Sequence, residues 1–293
     1  MDKLYSPTTI NQIKDIYNFK LSKSLGQNFL INNHIVSKIV EGSLIGENDL
    51  VIEIGPGVGV LTSPCAEIAK KVIAIEIDKK LIPILKETLK EHQNIEIINQ
   101  DFLKLDLIGL LENQEEYSNV RIIGNLPYYI TTPIIMKILE EKVKCASLTI
   151  MIQKEVADRM CAKPGTKDYG SITVAVNYYS TVTQIVQVPK TAFYPSPNVD
   201  STVIRFDIRK EKIVEPVDEE LFFKIIKASF GQRRKTLLNS ISTVENFSKS
   251  QALEALTIAG IDPRRRGETL SIFEFAKLAD EASKIQKKTE IID

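Results

Sequence analysis

Four consecutive residues near the middle of the chain, Asn125-Leu126-Pro127-Tyr128, carry groups suited to chemistry on a planar amine. An exocyclic amine such as the 6-amino group of adenine is a poor nucleophile, because its lone pair is delocalised into the ring. If the Asn125 amide oxygen and the Leu126 carbonyl accept its two hydrogens, the nitrogen can become tetrahedral and direct its lone pair outward. Pro127 stiffens the turn without adding a donor, and the Tyr128 ring can stack on the base. An ordinary turn after a strand often contains the same residue types.

A second stretch, residues 50–62, indicates where a cofactor would bind. An apolar, β-branched run is followed by Gly55, Gly57 and Gly59 and then by a helical pattern, which predicts a strand, a tight turn and a helix. Glycines in the turn let the backbone approach a nucleoside without Cβ atoms in the way, and the helix offers its N-terminus to the ligand. Taken alone, this turn fits a nicotinamide or flavin dinucleotide, S-adenosylmethionine, or a sharp bend with no ligand.

Acidic side chains follow the next two predicted strands. Glu76 lies about twenty residues after Gly55, where doubly wound folds place a carboxylate that holds ribose hydroxyls. Asp101 follows the strand after that one. Because ligands bind at the carboxyl ends of parallel strands, we expect both carboxylates at the same edge of the sheet as the glycine turn.

Alternating strand and helix patterns predict an α/β fold with helices on both faces of a parallel sheet. Asn32 or Asn33 is placed to cap one helix, and Asp78 is placed to cap another. Strands are predicted at residues 50–54, 71–77, 95–99, 120–124, 146–152, 184–188 and 202–208. Helices are predicted at residues 63–69, 79–91, 132–141, 153–161, 219–229, 235–241, 248–259 and 271–285, with an apolar segment at 171–179.

Seven motifs are distributed along the chain. They are Ser24-Leu25-Gly26-Gln27-Asn28-Phe29-Leu30, Glu53-Ile54-Gly55-Pro56-Gly57, Glu76-Ile77-Asp78, Gln100-Asp101-Phe102, Gly124-Asn125-Leu126-Pro127-Tyr128, Phe193-Tyr194-Pro195-Ser196-Pro197 with Val199 and Ser201, and Phe230-Gly231-Gln232-Arg233-Arg234-Lys235-Thr236. In this order they resemble the motifs of the ribosomal RNA adenine N6,N6-dimethyltransferases, in particular the bacterial small-subunit type. The resemblance covers nearly the whole chain.

The resemblance implies a Rossmann-like, class I S-adenosylmethionine-dependent methyltransferase sheet. This sheet would be mostly parallel with an antiparallel edge pair, and a small all-α C-terminal domain would follow it. The implied domains are an N-terminal arm (1–30), a catalytic domain (31–210), a linker (211–217) and an α-helical RNA-binding domain (218–293). The charged, proline-containing segment near residue 215 is consistent with such a linker.

The resemblance also assigns roles to individual residues. Catalytic roles fall to Asn125, Leu126, Pro127, Tyr128 and Phe193. Contacts to S-adenosylmethionine, which would leave as S-adenosylhomocysteine, fall to Asn28, Leu30, Gly55, Gly57, Glu76, Ile77, Asp101, Phe102 and Asn125. RNA contacts fall to Arg233, Arg234, Lys235, Arg264, Arg265 and Arg266. From the residues alone, the arm could be a simple linker that leads into a helix, and the basic triplets could be solvated surface or brace a domain interface.

Composition limits the partners that we expect. The chain has 38 basic and 38 acidic residues, so an RNA surface must be a local patch. Three scattered cysteines and two isolated histidines predict no metal site. The sequence shows neither a signal peptide nor an apolar window long enough to span a bilayer, so we expect a cytoplasmic protein without membrane contact. We also expect a monomer.

The predicted function is S-adenosylmethionine-dependent dimethylation of the 6-amino group of adenosines in small-subunit (16S) ribosomal RNA. By resemblance, the targets are two adjacent adenosines in a 3′-terminal hairpin, and the reaction is linked to small-subunit maturation. The substrate would be the RNA itself or a pre-30S particle. Three alternatives remain at this point: a large-subunit RNA dimethyltransferase of the macrolide-resistance type, a non-catalytic ribosome-assembly factor that binds RNA, and a nicotinamide oxidoreductase.

Overall fold

A computed structural model of the chain describes residues 4–19, 22, 26–114, 116–245 and 247–290. For residues 289 and 290 it describes the backbone alone. The motif residues Ser24 and Leu25 therefore lie outside the described residues. The strands are Phe29–Leu30 (β1), Leu50–Ile54 (β2), Lys71–Glu76 (β3), Ile95–Asn99 (β4), Val120–Asn125 (β5), Ser147–Gln153 (β6), Ser180–Val188 (β7), Phe193–Tyr194 (β8) and Ser201–Ile208 (β9). The helices are Pro7–Ile16 (α1), Asn33–Gly42 (α2), Thr62–Ala66 (α3), Leu81–Thr88 (α4), Leu107–Glu112 (α5), Thr131–Glu140 (α6), Lys154–Met160 (α7), Ser171–Tyr179 (α8), Glu219–Gly231 (α9), Leu237–Ile241 (α10), Lys249–Ala259 (α11) and Ile272–Glu290 (α12).

The main sheet has seven strands in the order β4-β3-β2-β5-β6-β9-β7. Strands β4, β3, β2, β5 and β6 pair in parallel, and β9 pairs antiparallel with β6. The central strand β2 is buried along its whole length, as expected for a parallel strand covered on both faces. The predicted mostly parallel sheet with antiparallel strands at one edge is therefore confirmed.

Most element boundaries agree with the predicted ones to within a few residues, but the predicted cap of α4 was wrong. A helix capped by Asp78 was predicted to begin at residue 79, whereas α4 begins at Leu81 and the residue before it is Lys80. The Asp78 side chain instead accepts a hydrogen bond from the Lys80 amide at 3.0 Å, within the turn that precedes the helix. By contrast, the predicted cap of α2 is confirmed, since the Asn32 side chain accepts from the amide of Ile35 at 3.1 Å.

The pairing of β1 with β8 was not predicted. Leu30 lies opposite Phe193 and Phe29 lies opposite Tyr194, in a separate two-stranded antiparallel sheet. The amide of Ile31 also donates to the Ala192 carbonyl at 2.8 Å. Two residues per strand are too few to show an alternating pattern, which explains why the sequence did not reveal this sheet. The pairing attaches the N-terminal arm to the segment that contains Phe193.

The chain forms two compact units. The first contains the described residues up to Ala157 and the segment Val182–Ile208, and thus most of the main sheet. The second contains Asp158–Thr181 and the described chain from Arg209 onward. The second unit is helical, and Tyr178, Phe222 and Phe275 are among the largest fully buried side chains of the protein. The division at residues 211–217 stays a prediction.

A buried ion pair joins β2 and β5 at their amino ends. Asp49 directly precedes β2 and is 2% exposed, and its Oδ2 accepts from Nε of Arg121 at 2.6 Å. Burial alone would raise the pKa of Asp49, but hydrogen bonds from Arg121, Asn119 and Gly46 outweigh it and lower the pKa below its usual value. The Asp49 carboxylate therefore stabilises the fold above its normal titration range and loses that effect as the pH falls.

We predict that Asp49→Asn destabilises the protein by about 2–4 kcal/mol, because Arg121 is left buried without a countercharge. Thermal unfolding at pH 7 measures the change. The matched control is Asp207→Asn, which breaks a more exposed pair with Arg205 and should cost less than about 1 kcal/mol. Equal losses in the two variants would contradict a special role for the buried pair.

Candidate active site

A cavity of about 460 Å³ lies at the carboxyl ends of β2, β3 and β5. Its volume is in the range of small-molecule sites in proteins. The cavity is in the position that parallel sheets use for ligands, because the strand ends and the loops after them converge there. All residues that were predicted to bind cofactor or target base line it: Asn28, Leu30, Gly55, Gly57, Glu76, Ile77, Asp101, Phe102, Asn125, Leu126, Pro127, Tyr128 and Phe193.

The glycine turn after β2 forms part of the cavity wall. Gly55 has φ +68° and Gly57 has φ +63°, conformations that L side chains rarely adopt. A Cβ atom on Gly57 would lie 2.8 Å from the Phe29 ring, so the arm packs directly on this turn. Among the described residues, a Cβ atom on Gly55 would have only the Asn125 carbonyl oxygen within reach, at 4.0 Å. The space above Gly55 is thus left for a ligand.

Glu76, at the end of β3, is held rigidly in the cavity wall. Its Oε1 accepts from the Asp78 amide at 2.8 Å, and its Oε2 accepts from the Gly57 amide at 3.3 Å. Burial raises the pKa of Glu76, although these two hydrogen bonds act in the opposite direction. Each oxygen keeps a second lone pair that can accept from a ligand hydroxyl.

Asp101 lies beyond the end of β4 and has one oxygen available. Its Oδ1 accepts from the Leu103 amide at 3.0 Å and so caps a short 3-10 turn. Its Oδ2 lies 4.0 Å from Nζ of Lys104, an exposed and distant partner. The neighbouring Phe102 is buried and adds an apolar surface to the same wall. Asp101 and Phe102 together could recognise a base by its edge and its face.

The Asn125 side chain is oriented by the N-terminal arm. Its Nδ2 donates to the backbone carbonyl of Asn28 at 3.0 Å. The side-chain Nδ2 of Asn28 in turn donates to the Gly26 carbonyl at 3.0 Å, which keeps this part of the arm in place. Because the donor side of the Asn125 amide is engaged by the arm, its Oδ1 remains as an acceptor at the cavity.

Two aromatic residues complete the pocket beside Asn125. The hydroxyl of Tyr128 shares a hydrogen bond of 2.8 Å with the Ser201 hydroxyl at the start of β9. Burial raises the pKa of Tyr128, so its hydroxyl stays protonated at neutral pH. Phe193 is 4% exposed, and the pairing of β8 with Leu30 holds its backbone. Both rings line the same cavity.

A buried acidic residue of the cavity wall, Glu53, was not among the predicted site residues. Glu53 is 1% exposed, and its Oε2 finds no hydrogen-bond partner within the described part of the chain. Burial raises the pKa of Glu53 to about 8, with a further contribution from the nearby Glu76 carboxylate. Glu53 lies near the end of β2, just before the glycine turn. An acidic residue at the end of a predicted parallel strand was the sequence signal that could have identified it.

The two predicted basic triplets lie in the helical unit and are adjacent there. The Leu237 amide donates to the Arg265 carbonyl at 2.7 Å, and the Leu238 amide donates to the Pro263 carbonyl at 3.2 Å. These bonds place the segment that follows residues 233–235 beside the segment that contains residues 264–266. The adjacency could not be read from the sequence, where about thirty residues separate the triplets.

Their side chains differ in how far the fold uses them. Arg233 donates to the Lys167 carbonyl, Arg264 pairs with Asp262, and Arg265 pairs with Glu274 and donates to Thr269. Arg234, Lys235 and Arg266 are exposed and make no ion pair with any described residue. We call these last three side chains the basic face.

Comparison with known proteins identifies the family. Residues 18–284 match the ribosomal RNA adenine dimethylase family. The chain belongs to this family. The resemblance seen in the seven motifs is therefore confirmed, and with it the prediction of a methyltransferase that acts on adenine in ribosomal RNA.

Relatives match this family member over almost their whole length. Ribosomal RNA small subunit methyltransferase A of Alkaliphilus oremlandii (strain OhILAs) is 55% identical over 285 residues, 97% of this chain and 99% of the relative. The protein with the same name in Clostridioides difficile (strain 630) is 51% identical over 280 residues, 96% of this chain and 97% of the relative.

Two solved structures share the architecture of this family member. A dimethyladenosine transferase from Plasmodium falciparum aligns with a TM-score of 0.75 and 27% identity, covering 88% of this chain and 98% of the other. The 23S rRNA methyltransferase ErmE aligns with a TM-score of 0.66 and 26% identity, covering 87% of this chain and 100% of the other. The predicted methyltransferase fold is thereby confirmed.

The described residues lack two other kinds of feature. They contain no helix with both the length and the apolar character needed to cross a membrane. Nor do they bring together three or more histidine, cysteine or acidic side chains in a way that could hold a metal ion.

We predict that Glu53→Gln raises the thermal midpoint of the ligand-free protein at pH 8.5 by about 2–6 °C and changes it little at pH 5. The folded pKa of Glu53 lies above its unfolded value of 4.5, so the wild-type protein loses stability as the pH rises toward 8. Glutamine is neutral at both pH values and avoids this loss. Glu67→Gln, which removes an exposed carboxylate, is the control and should alter the two midpoints equally. If Glu53→Gln lowers the thermal midpoint at pH 8.5, the assignment of Glu53 as a buried acid with a raised pKa is refuted.

Proposed function

We propose that this protein transfers methyl groups from S-adenosylmethionine to the 6-amino group of adenosines in small-subunit ribosomal RNA, twice per target. The observation that carries the proposal is the orientation of Asn125: its side-chain nitrogen donates to the Asn28 carbonyl, and no described residue donates to its oxygen, which lies at the cavity. A hydrogen-bond acceptor at this point suits an amine whose nitrogen must change from planar to tetrahedral geometry. Relatives named for the small subunit, about half identical over nearly their full length, support that choice of substrate.

The residues of the cavity fit S-adenosylmethionine. The open space above Gly55 and the unpartnered Glu53 oxygen leave both room and polar capacity for a ligand. Glu76 would accept hydrogen bonds from the ribose hydroxyls, and Asp101 would accept one from the adenine amine. Phe102 would contact the adenine ring. When bound, the cofactor supplies an electrophilic methyl group on a sulfonium. Two acidic side chains on the cavity wall, those of Glu76 and Asp101, suit a ligand that carries positive charge.

The target adenine would be held by the residues after β5. The Asn125 oxygen and the Leu126 carbonyl would accept the two amine hydrogens and direct the nitrogen lone pair toward the methyl group. Tyr128 and Phe193 would stack on the base once it is turned out of its RNA helix. Because the amine loses its proton only after it has bonded to the methyl carbon, the site needs no strong base. Tyr128 would contribute its ring, because its hydroxyl is engaged with Ser201.

Contacts with the remaining RNA fall to the helical unit. The basic face of Arg234, Lys235 and Arg266 projects three uncommitted positive charges that suit phosphates. Arg233, Arg264 and Arg265, which were also predicted to bind RNA, are tied to neighbouring groups and would mainly hold the basic face in place.

The finer points of the proposal rest on family resemblance. The targets would be two adjacent adenosines in a 3′-terminal hairpin, presented either by free RNA or by a pre-30S particle. The protein would act as a cytoplasmic monomer, without a metal, and its reaction would accompany small-subunit maturation. The large-subunit alternative has weaker support, since the aligned 23S rRNA methyltransferase is only 26% identical to this chain.

The decisive experiment is transfer of labelled methyl from S-adenosylmethionine to unmethylated small ribosomal subunits, with large subunits in parallel and nucleoside analysis of the product. We expect dimethyladenosine in small subunits only. Label in large subunits would support the resistance-type alternative. Binding of the cofactor without transfer to either subunit would favour an assembly factor that does not catalyse.

We predict that Asn125→Ala lowers kcat for small subunits at least about 100-fold, because the lost acceptor acts on the reacting amine. The dissociation constant for S-adenosylmethionine, measured by calorimetry, should change less than about threefold. Asn113→Ala removes an exposed asparagine whose amide bonds only within α5, and it is the matched control. Parallel losses in turnover and cofactor affinity would assign Asn125 to cofactor binding instead.

Replacing the basic face with Arg234→Ala, Lys235→Ala and Arg266→Ala should weaken RNA binding and reduce its salt slope by about two to three. The control removes equal charge from the same unit through Lys224→Ala, Lys249→Ala and Lys284→Ala. Binding to small subunits at several salt concentrations measures both slopes. If the two triple variants lose the same slope, the effect comes from net charge and the basic face has no special contact.

A further inference from the structure

Tyr129 is an exposed aromatic side chain at the rim of the catalytic cavity. It is 61% exposed, whereas the cavity residues on either side of it, Tyr128 and Ile130, are half-buried. Tyr129 itself lines the cavity together with Pro127 and Tyr128. An aromatic ring at the mouth of a site for a nucleobase is positioned to contact what enters that site.

The local backbone explains why the two tyrosines diverge. The Ile130 amide donates to the Pro127 carbonyl at 3.1 Å, which closes a turn with Tyr128 and Tyr129 as its two central residues. Thr131 Oγ1 donates to the same carbonyl at 3.2 Å and fixes the turn to the start of α6. Side chains at the two corners of such a turn leave it in different directions. Tyr128 reaches Ser201, and Tyr129 projects toward solvent.

The Tyr129 ring lies near the backbone of the arm at Gly26. A Cβ atom built on Gly26 would lie 3.8 Å from Cε1 of Tyr129 and 3.1 Å from Cβ of Pro127, so the arm packs closely beneath the turn. Gly26 has φ +60°, which favours glycine at this close approach. Among the described residues, Tyr129 has neither a hydrogen bond nor an aromatic ring partner. In the described part of the chain, the arm thus approaches Tyr129 at Gly26, and most of the Tyr129 side chain remains exposed.

Turning an adenosine out of an RNA strand also exposes a neighbouring base, which loses a stacking partner. Aromatic side chains recover such losses in single-stranded RNA sites, since every base has a face that can stack. Tyr128 and Tyr129 are consecutive, so a base on Tyr129 would belong to a nucleotide next to one in the pocket. The chemistry of the occupant is therefore that of an unpaired base in the same strand.

We propose that Tyr129 is a stacking platform for the nucleotide adjacent to the target adenosine. This inference rests on the proposed function, because it takes RNA as the substrate and Tyr128 as the contact to the target base. Tyr129 would contribute to RNA affinity and to the choice of sequence around the target, without touching the cofactor or the reacting amine.

A kinetic comparison tests the platform. Tyr129→Ala should raise KM for small subunits about 5- to 150-fold, with kcat and the S-adenosylmethionine dissociation constant nearly unchanged. Tyr129→Trp retains a stacking face and should keep KM within about threefold of the wild type. The control is Tyr117→Ala, which removes a half-buried tyrosine near Lys70 at the amino ends of the strands, the sheet edge opposite the cavity. An unchanged KM in Tyr129→Ala would overturn the platform.

A crosslinking experiment identifies the occupant. Benzoylphenylalanine placed at position 129 is irradiated with unmethylated small subunits, and the crosslinked nucleotides are mapped by reverse transcription. Crosslinks confined to neighbours of the methylated adenosines are expected. Crosslinks elsewhere, or to protein alone, would reject the inference.

The two proposals fail in different ways. If the wild-type enzyme transfers methyl groups to small subunits and the Tyr129→Ala variant has the same KM, only the platform is refuted. Wild-type enzyme that transfers none removes the proposed function and the platform with it.

Discussion

The candidate active site depends on the parallel register of the strands β3, β2 and β5. Ile54 lies opposite Ile75 on one side and Gly124 on the other, so the three strands end at the same level. One cavity is therefore lined by the groups at these strand ends: the glycine turn after β2, Glu76 at the end of β3 and the asparagine turn after β5. A slip of one residue in any strand would turn its side chains to the opposite face and separate these groups. The buried Asp49–Arg121 pair at the other ends of β2 and β5 acts on the same register.

The N-terminal arm completes what the sheet begins. Its residues meet the cavity in three places: Asn28 engages Asn125, Phe29 packs on Gly57, and Leu30 pairs with Phe193. The arm thus links the glycine turn, the asparagine turn and the aromatic segment, which come from distant parts of the chain. Orientation of the Asn125 amide is a property of this assembly, because an isolated asparagine has no preference for which end faces a ligand.

The helical unit shows how a neutral protein can present a basic surface. The chain as a whole has equal numbers of basic and acidic residues, yet two arginine-rich triplets meet through the hydrogen bonds of Leu237 and Leu238. Half of the six side chains are paired with neighbours and brace the turn, which leaves the others directed outward. Local charge density, and not net charge, is what phosphate contacts require.

The sequence by itself determined the class of fold and the chemical identity of most cavity residues. Strand and helix periodicity is local, and so are the needs of a glycine turn or an Asn-Leu-Pro-Tyr turn, so short stretches such as residues 50–62 specify them. Glu53 was missed because its burial and its unpartnered oxygen depend on what packs around it. The tertiary structure alone decided the pairing of β1 with β8, the orientation of Asn125 and the contact between the two segments that carry the basic triplets. Each of these rests on contacts between residues that are far apart in the chain or on burial, and no local pattern encodes such contacts.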